Sequence, residues 1–312
     1  MASTVEDANR AALSPRARVA GAILEAARSL RGGNHLAPPL PARARPPSEV
    51  PGAAPSTRTR ISVVCPSRLD GHGRADRRSY YFERALRSVR EQSVSASYDW
   101  EIILAVDPGN GRKAEGLLPD GQVVEGERPG QAAAVNAGVR RASGDLIAMI
   151  EDDDVWHGRK IELQLLAMSQ QPSHDCQFVS TNQFEVDESG NVVRVNDFPT
   201  PSGWLMHRAL WNLVGPINET YRWHVDSEWL GRLNCTPTPR LHLVERSRPV
   251  RRDVLNLARR TQVWETREAT PLVRRMVNPN GGMSRIARDR ECNRQSREEL
   301  GRLVHLYGGL PW

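Results

Sequence analysis

The chain has 312 residues, 39% of them hydrophobic, which is enough for one large domain or two small ones with a buried core. Of its net charge of +6, +5 lies in residues 1–60, which contain nine arginines and four acids. The remainder is nearly neutral, which argues against a broad nucleic-acid-binding face, because that affinity depends mainly on neutralising phosphates. We therefore expect no nucleic-acid partner.

The composition also argues against a membrane-spanning or secreted protein. No apolar run approaches the roughly 18 residues that span a bilayer, and the first twenty residues lack the apolar core of a signal peptide. The four cysteines are far apart and form no CxxC pair, which indicates neither a disulfide framework nor a zinc site. We expect a cytoplasmic protein.

The N-terminal segment differs from the rest of the chain. Residues 36–56 contain seven prolines and no periodic apolar pattern, which is typical of a disordered linker. Before it, apolar residues recur at helical spacing among arginines (Val19, Ile23, Leu24, Ala27 and Leu30). This pattern predicts either a basic amphipathic helix that docks on anionic lipid or a partner, or a frayed tail helix.

From residue 60 the sequence alternates between short apolar runs and helical patterns. The predicted strands are 61–65, 101–106, 122–124 and 146–150, and the predicted helices lie around 82–89 and at 132–142. Continuous apolar strands separated by helices are typical of a parallel sheet that is covered on both faces. The expected fold is a doubly wound, mostly parallel α/β sheet flanked by helices.

The second half of the chain has a different pattern. It predicts a helix at 161–166, strands at 177–186 and 191–195 joined by a turn, and a helix at 205–213. The last fifty residues are polar and arginine-rich, and they show no clear period. They are expected to wrap the body or to be partly disordered.

Four consecutive acids, residues 151–154, end the predicted strand 146–150. Hard cations such as Mg²⁺ or Mn²⁺ take carboxylate oxygens, usually together with substrate phosphates. The alternative is a solvated acidic loop. Ligand sites in open α/β sheets lie outside the carboxyl ends of the strands, and this position favours a metal site.

Five segments in order resemble a known family: ISVVCP (61–66), ALRSVREQ (85–92), VDPGN (106–110), GQAAAVNAG (130–138) and ASGDLIAMIEDDD (142–154). Their order resembles the nucleotide-sugar-binding half of the family 2 glycosyltransferases, which have the GT-A fold. The resemblance covers about residues 60–170 and continues more weakly to about 233.

The resemblance implies roles for individual residues. The nucleotide sugar would be bound by Pro66, Arg68, Asp107, Gly130, Asn136 and Asp152, and a Mn²⁺ or Mg²⁺ ion would be held by Asp153 and Glu151. Apart from the resemblance, a histidine could complete the metal shell, and the favoured candidates are His224 and His242, with a structural role as the alternative for each. The arginine-rich loop 68–78 has two interpretations, closure on the diphosphate or a surface insertion. The second acid that the family often has after the second strand is here Pro108.

An inverting transfer also needs a carboxylate that takes the proton from the acceptor hydroxyl. The segments GPINE (215–219) and HVDSEWL (224–230) resemble the acceptor side of the family, where an acid-rich stretch opens a helix. Asp226 is the candidate base, with Glu228 as the second candidate. Acids at a helix N-terminus are also ordinary stabilising features, which is the alternative for both residues.

The sequence therefore predicts a metal-dependent, inverting transferase that moves one sugar from a nucleotide-diphosphate sugar to an acceptor hydroxyl on a glycan, a lipid-linked molecule or a small molecule. The expected organisation is an N-terminal extension (1–58) that offers peripheral membrane contact, a GT-A domain (59–250) and an arginine-rich C-terminal extension (251–312). The domain would comprise a nucleotide-sugar half (59–156) and a smaller acceptor half (157–250). Two alternatives remain, a nucleotidyltransferase of related fold and a catalytically degenerate binding module.

Overall fold

The computed structural model of the protein describes residues 58–69, 75–171, 176–246, 261–277 and 281–308. The predicted amphipathic helix and the proline-rich linker of the N-terminal extension lie outside these residues, as do residues 70–74 of the arginine-rich loop. Within the described part of the chain, no helix combines the length and the apolar character needed to cross a bilayer.

Twelve strands in the described residues form two sheets. Their bounds are β1 (Arg60–Ser67), β2 (Asp99–Val106), β3 (Gln122–Glu125), β4 (Leu146–Met149), β5 (Val155–Trp156), β6 (Phe178–Thr181), β7 (Gln183–Val186), β8 (Val192–Asn196), β9 (Leu205–His207), β10 (Arg240–Val244), β11 (Thr261–Glu265) and β12 (Val273–Met276). The main sheet has the order β11-β10-β6-β9-β4-β1-β2-β3, and the smaller one has the order β5-β12-β7-β8. In the main sheet only the pairs of β9, with β4 and β6, are antiparallel.

Helices cover both faces of the main sheet. Those described are α1 (Ala75–Arg90), α2 (Gly111–Glu115), α3 (Gln131–Arg141), α4 (Lys160–Ser169), α5 (Arg208–Val214), α6 (Val225–Asn234), α7 (Gly282–Arg288) and α8 (Arg290–Tyr307). Successive residues of a strand point to opposite faces, so Ile61 and Val63 pack with α1 and α4 while Val64 packs with α3, α5 and α6. The predicted doubly wound, mostly parallel α/β fold is confirmed.

The helix α3 approaches the sheet closely because its sheet-facing residues are small. Gly138 faces β1 and β2, and a Cβ atom there would lie 2.4 Å from Val64 Cγ1 and 3.3 Å from Ala105 Cβ. Packing at this density leaves no room for an added methyl group without movement of the strand or the helix.

One predicted helix is partly a strand. The segment 205–213 was expected to be helical throughout, but Leu205–His207 forms β9 and the helix begins only at Arg208. The strand β9 fills the gap between β4 and β6, and it pairs antiparallel with both. Three residues carry too little periodicity to distinguish a strand from a first helical turn, so the neighbouring strand edges decide the outcome.

The expected boundary at residue 250 does not divide the folded body. From the C-terminal segment, β11 pairs with β10 in the main sheet, and β12 pairs with β5 and β7 in the smaller one. The helix α8 packs against α6. Residues 261–308 are therefore part of the same domain core as the preceding strands.

We expect Gly138→Ala to lower the free energy of unfolding by about 1–3 kcal/mol, because the new methyl group overpacks the contact between α3 and β1. The control is Gly301→Ala in α8, where an added Cβ meets nothing within 4 Å. This second change should stabilise the protein by up to about 1 kcal/mol through helix propensity. Urea unfolding measures both, and equal midpoints for the two variants would contradict the packing argument.

Candidate functional site

A cleft opens where the carboxyl ends of β1, β2 and β4 meet. Its volume is about 420 Å³. Its lining includes residues from α6, α7, β7, β8 and β12 as well as residues at the sheet ends. The residues at the sheet ends and on α6 include Pro66, Ser67, Arg68, Asp107, Gly130, Gln131, Glu151, Asp152, Asp153, Val225 and Asp226. The position agrees with the rule that ligand sites of open α/β sheets lie at the carboxyl ends of their strands.

The four acids that follow β4 have separate surroundings. Glu151 Oε1 accepts a hydrogen bond from Gln131 Nε2 at 2.7 Å, and Asp152 accepts one from the Ser67 hydroxyl. These contacts tie the acids to the first turn of α3 and to the end of β1. Glu151, Asp152 and Asp153 line the cleft.

The fourth acid, Asp154, is fully buried and holds the turn after β4. Its Oδ2 accepts from Ser202 Oγ at 2.6 Å, and its Oδ1 accepts from the Met276 backbone N–H at 3.0 Å. Ser202 Oγ in turn accepts from the backbone N–H of Glu151 at 2.9 Å. This network joins the acid run to β12 and to the 3₁₀ turn Pro201–Gly203.

Burial, together with the crowding of carboxylates, raises the pKa values of Asp153 and Asp154. The pKa of Asp153 is well above its usual range, because of burial first and then repulsion by Asp154 and Asp152. Burial, followed by repulsion from Glu151, raises the pKa of Asp154 to about 7. A divalent cation among these groups would favour their ionised forms and reverse this tendency.

Three of the acids are close enough to share one cation. One carboxylate oxygen from each of Glu151, Asp153 and Asp154 lies within 4.8 Å of the others. An all-oxygen donor set suits Mg²⁺ or Mn²⁺. Because both oxygens of Asp154 already accept hydrogen bonds within the protein, Asp153 and Glu151 are the acids that can turn toward an ion.

A buried arginine balances part of this charge. Arg275 on β12 places Nε 3.7 Å from Glu151 Oε2 and Nη1 3.5 Å from Glu185 Oε1. Burial disfavours its charge, but the carboxylates of Glu151, Asp154 and Glu185 outweigh that effect and raise its pKa. The sequence analysis did not find Arg275, because it lies in the arginine-rich C-terminal segment and no local pattern distinguishes it from its neighbours.

The donor-side residues predicted from the first three strands lie together. Asp107 Oδ1 accepts from the Gly130 backbone N–H at 2.7 Å, and Gly130 has a φ of +127° that a side chain would strain. Pro66 and Arg68 line the same cleft, and β1 continues through Pro66 to Ser67 instead of ending there. An adjoining cavity of about 450 Å³ is lined by Arg68, Asp107 and Gly130 among others.

Asn136 lies beneath the cleft and not among its lining residues. Its Nδ2 donates to Ile217 O at 2.9 Å and to Glu219 Oε1 at 2.8 Å, and its Oδ1 accepts from Ile217 N at 2.9 Å. The side chain thus fastens the segment before α6 to α3. The structure gives it a supporting position and not a direct contact with the cleft.

Asp226, the candidate base, faces the cleft from the first turn of α6. Its Oδ1 accepts from the Ser227 backbone N–H at 2.7 Å. Burial raises its pKa to about 6, with a smaller upward contribution from Glu151, while Ser227 and Arg275 act in the opposite direction. A carboxylate with this pKa is ionised in its larger part at neutral pH and can accept a proton.

The structure does not bring Glu228 or His224 to the cleft. Glu228 is buried and forms an ion pair with Arg232, with Oε1 2.8 Å from Arg232 Nε. His224 Nε2 lies 2.9 Å from Ser296 Oγ on α8. Both side chains are turned away for the same reason: on a helix, residues two positions apart face in different directions, and the residues of this stretch that line the cleft are Val225 and Asp226.

The fold and the acid run thus define a doubly wound α/β domain with a carboxylate-lined cleft at its strand ends. Residues 77–213 match the family described as glycosyl transferase family 2. An uncharacterized glycosyltransferase of Methanocaldococcus jannaschii is 25% identical over 122 residues, which are 36% of this chain and 40% of that protein. This match agrees with the resemblance that the motifs predicted, and the chain spans about two fifths of the length of this relative.

Many solved structures are similar to this chain, among them the following two. The structure of S. aureus TarS in complex with UDP-GlcNAc has a TM-score of 0.49 and 13% identity, over 72% of this chain and 60% of that one. A mannosyltransferase of Pyrobaculum calidifontis in complex with GDP-Man and Mn²⁺ has a TM-score of 0.43 and 16% identity, over 78% of this chain and 70% of that one.

We expect Arg275→Gln to lower the free energy of unfolding by about 3–5 kcal/mol, because it leaves the Glu151 carboxylate partly buried without its cation. Arg274→Gln is the matched control: this neighbour on β12 is exposed, and its loss should cost no more than about 0.5 kcal/mol. Chemical unfolding near pH 7 gives both values. Similar stability losses in the two variants would show that the acid run does not depend on Arg275.

Proposed function

We propose that this protein transfers a sugar from a nucleotide-diphosphate sugar to an acceptor hydroxyl, with the help of a divalent cation and with inversion at the anomeric carbon. The observation that carries the proposal is that Asp226 faces the same cleft as Glu151, Asp152 and Asp153. Asp226 can take a proton, and the acids after β4 can hold a metal-bound diphosphate. The two functions would thus be served at one cleft. This pairing favours a transferase over a binding module, which would need no base.

Asp153 and Glu151 are the proposed ligands of Mn²⁺ or Mg²⁺, and Asp154 supports them from below. When bound, such a cation neutralises the negative charge that develops on the leaving diphosphate. Asp152, held by the Ser67 hydroxyl, is proposed to contact the ribose. His224 is not part of this set, because its Nε2 atom is hydrogen-bonded to Ser296 on α8.

The nucleoside is proposed to lie near Asp107 and Gly130, next to Pro66 and Arg68. The hydrogen bond from Gly130 N to Asp107 fixes the turn that begins α3 beside the end of β2. The exposed Arg68 guanidinium lies at the border of both cavities, where it can meet a phosphate. These residues bind and orient the donor, while the acids at the end of β4 receive its diphosphate.

In the proposed step, the acceptor oxygen forms a bond to the anomeric carbon while the bond from that carbon to the diphosphate breaks. The hydroxyl proton passes to the Asp226 carboxylate, and the diphosphate leaves with the bonding electron pair. A single in-line displacement of this kind inverts the configuration. Residues on the far side of the cleft, from α7 and β8, are left to receive the acceptor.

The first test concerns the base. Because Asp226 must be ionised to accept a proton, and its pKa is raised to about 6, the rate should fall as the pH is lowered through about 6 and level off above it. Asp226→Asn should reduce kcat by on the order of 10²–10⁴ on the plateau above pH 6, and it should show no acid limb and no loss of nucleotide binding. The measurement is kcat against pH for both proteins; an unchanged rate in Asp226→Asn would place the base elsewhere.

The second test concerns the cation. Uridine and guanosine diphosphates with Mn²⁺ should raise the thermal unfolding midpoint, since a ligand that binds only the folded state stabilises it. In Asp153→Asn the Mn²⁺-dependent part of this shift should disappear, because a principal carboxylate ligand is lost. The control is Glu115→Gln, an exposed acid at the end of α2. A full Mn²⁺-dependent shift in Asp153→Asn would contradict the proposed metal site.

A further inference from the structure

The C-terminal helix α8 carries two polar side chains on its buried face. That face consists of Cys292, Ser296, Glu299, Leu300, Leu303 and Val304. Glu299 is only 6% exposed and Ser296 only 4%. A buried carboxylate is costly unless hydrogen bonds compensate it, so Glu299 must have partners that only a folded neighbour supplies.

Those partners are two consecutive backbone groups of the segment that leads into α6. Glu299 Oε1 accepts from Arg222 N at 2.8 Å, and Oε2 accepts from Trp223 N at 2.8 Å. Backbone N–H groups at and before a helix N-terminus have no partner within the helix. One carboxylate on α8 therefore satisfies two donors that lie four and three residues before Asp226.

The next residue of the segment is also held by α8. His224 Nε2 lies 3.1 Å from the Ser296 carbonyl oxygen and 2.9 Å from its hydroxyl. A carbonyl oxygen can only accept, so Nε2 carries the proton and donates to it. Three consecutive residues, 222–224, are thus each bonded to α8 immediately before the helix that carries Asp226.

The helix α6 itself also packs against the end of α8. The Tyr307 hydroxyl lies 3.4 Å from the Glu228 carbonyl oxygen, and a Cβ atom at Gly231 would be only 2.4 Å from the Tyr307 ring. Close packing at Gly231 fixes the distance between the two helices. The bonds from Glu299 and Ser296 fix the other end of the contact.

We propose that Glu299 is a positioning residue for Asp226, and that α8 completes the site without contacting substrate. The inference rests on the proposed role of Asp226 as base. A base displaced by about 1 Å from its productive position can lose about 10²-fold in rate. Since the segment 222–224 sets where α6 begins, the Glu299 bonds set the position of the Asp226 carboxylate.

The test uses Glu299→Gln in the full chain. The amide can accept from one of the two N–H groups, but its own NH₂ group then faces the other donor. Glu298→Gln is the matched control, because Glu298 is exposed on the same helix and pairs with Arg294 at 2.5 Å. The readouts are kcat and KM for donor consumption, the affinity for uridine or guanosine diphosphate with Mn²⁺, and amide hydrogen exchange.

We expect Glu299→Gln to lower kcat by roughly tenfold or more, with unchanged nucleotide affinity, since only the base is displaced. Exchange at the Arg222 and Trp223 amides should become faster, while Glu298→Gln behaves as the native protein. If Glu299→Gln retains the native kcat, or loses nucleotide affinity in proportion to kcat, the positioning role is wrong. Should that variant not fold, Glu299→Asp keeps the charge but shortens the side chain, so that it cannot reach both amides as Glu299 does, and a native kcat in it would also overturn the proposal.

The two proposals can fail separately. If the native protein neither binds a nucleoside diphosphate nor consumes a donor, the proposed function fails. Amide exchange then tests by itself whether Glu299 holds the amides of Arg222 and Trp223. The contact is supported if exchange at the Arg222 and Trp223 amides is slow in the native protein and becomes fast in Glu299→Gln. Fast exchange at both amides in the native protein would overturn it.

Discussion

The main constraint on this structure is the repulsion among the carboxylates that follow the buried strand β4. The carboxylates of Glu151, Asp153 and Asp154 lie within 4.8 Å of one another, and burial and mutual repulsion raise the pKa values of Asp153 and Asp154. The protein compensates with hydrogen bonds to Glu151, Asp152 and Asp154 and with the guanidinium of Arg275. The acids that line the cleft outnumber the arginines that line it, and this surplus of carboxylates is the electrostatic setting that suits a divalent cation.

A second constraint concerns the distance between the acid run and Asp226, which lie on elements far apart in the sequence. On one side, Asn136 fastens the segment that leads to α6 onto α3, the helix that follows β3. On the other side, Glu299 fastens the residues just before Asp226 onto α8. Asp226 is therefore held between α3 and α8 by buried hydrogen bonds, which are costly to leave unsatisfied.

Local sequence predicted the elements whose apolar pattern is long and regular. The strands β1, β2 and β4 and the helix α3 were predicted with small shifts at their ends, because burial on both faces of a parallel sheet demands continuous apolar runs. The short strands β9, β11 and β12 were missed. Each has three to five residues, and its conformation is imposed by the strand edge beside it and not by its own periodicity.

The sequence by itself determined the fold class, the acid run at the end of β4 and the choice of Asp226, because these depend on apolar periodicity and on motifs read in order. Only the tertiary structure decided which polar side chains face the cleft: it turned Glu228 and His224 away, placed Asn136 beneath, and brought Arg275 in from a strand more than a hundred residues downstream. The physical reason is that side-chain direction and burial depend on packing between distant elements, which no local pattern records.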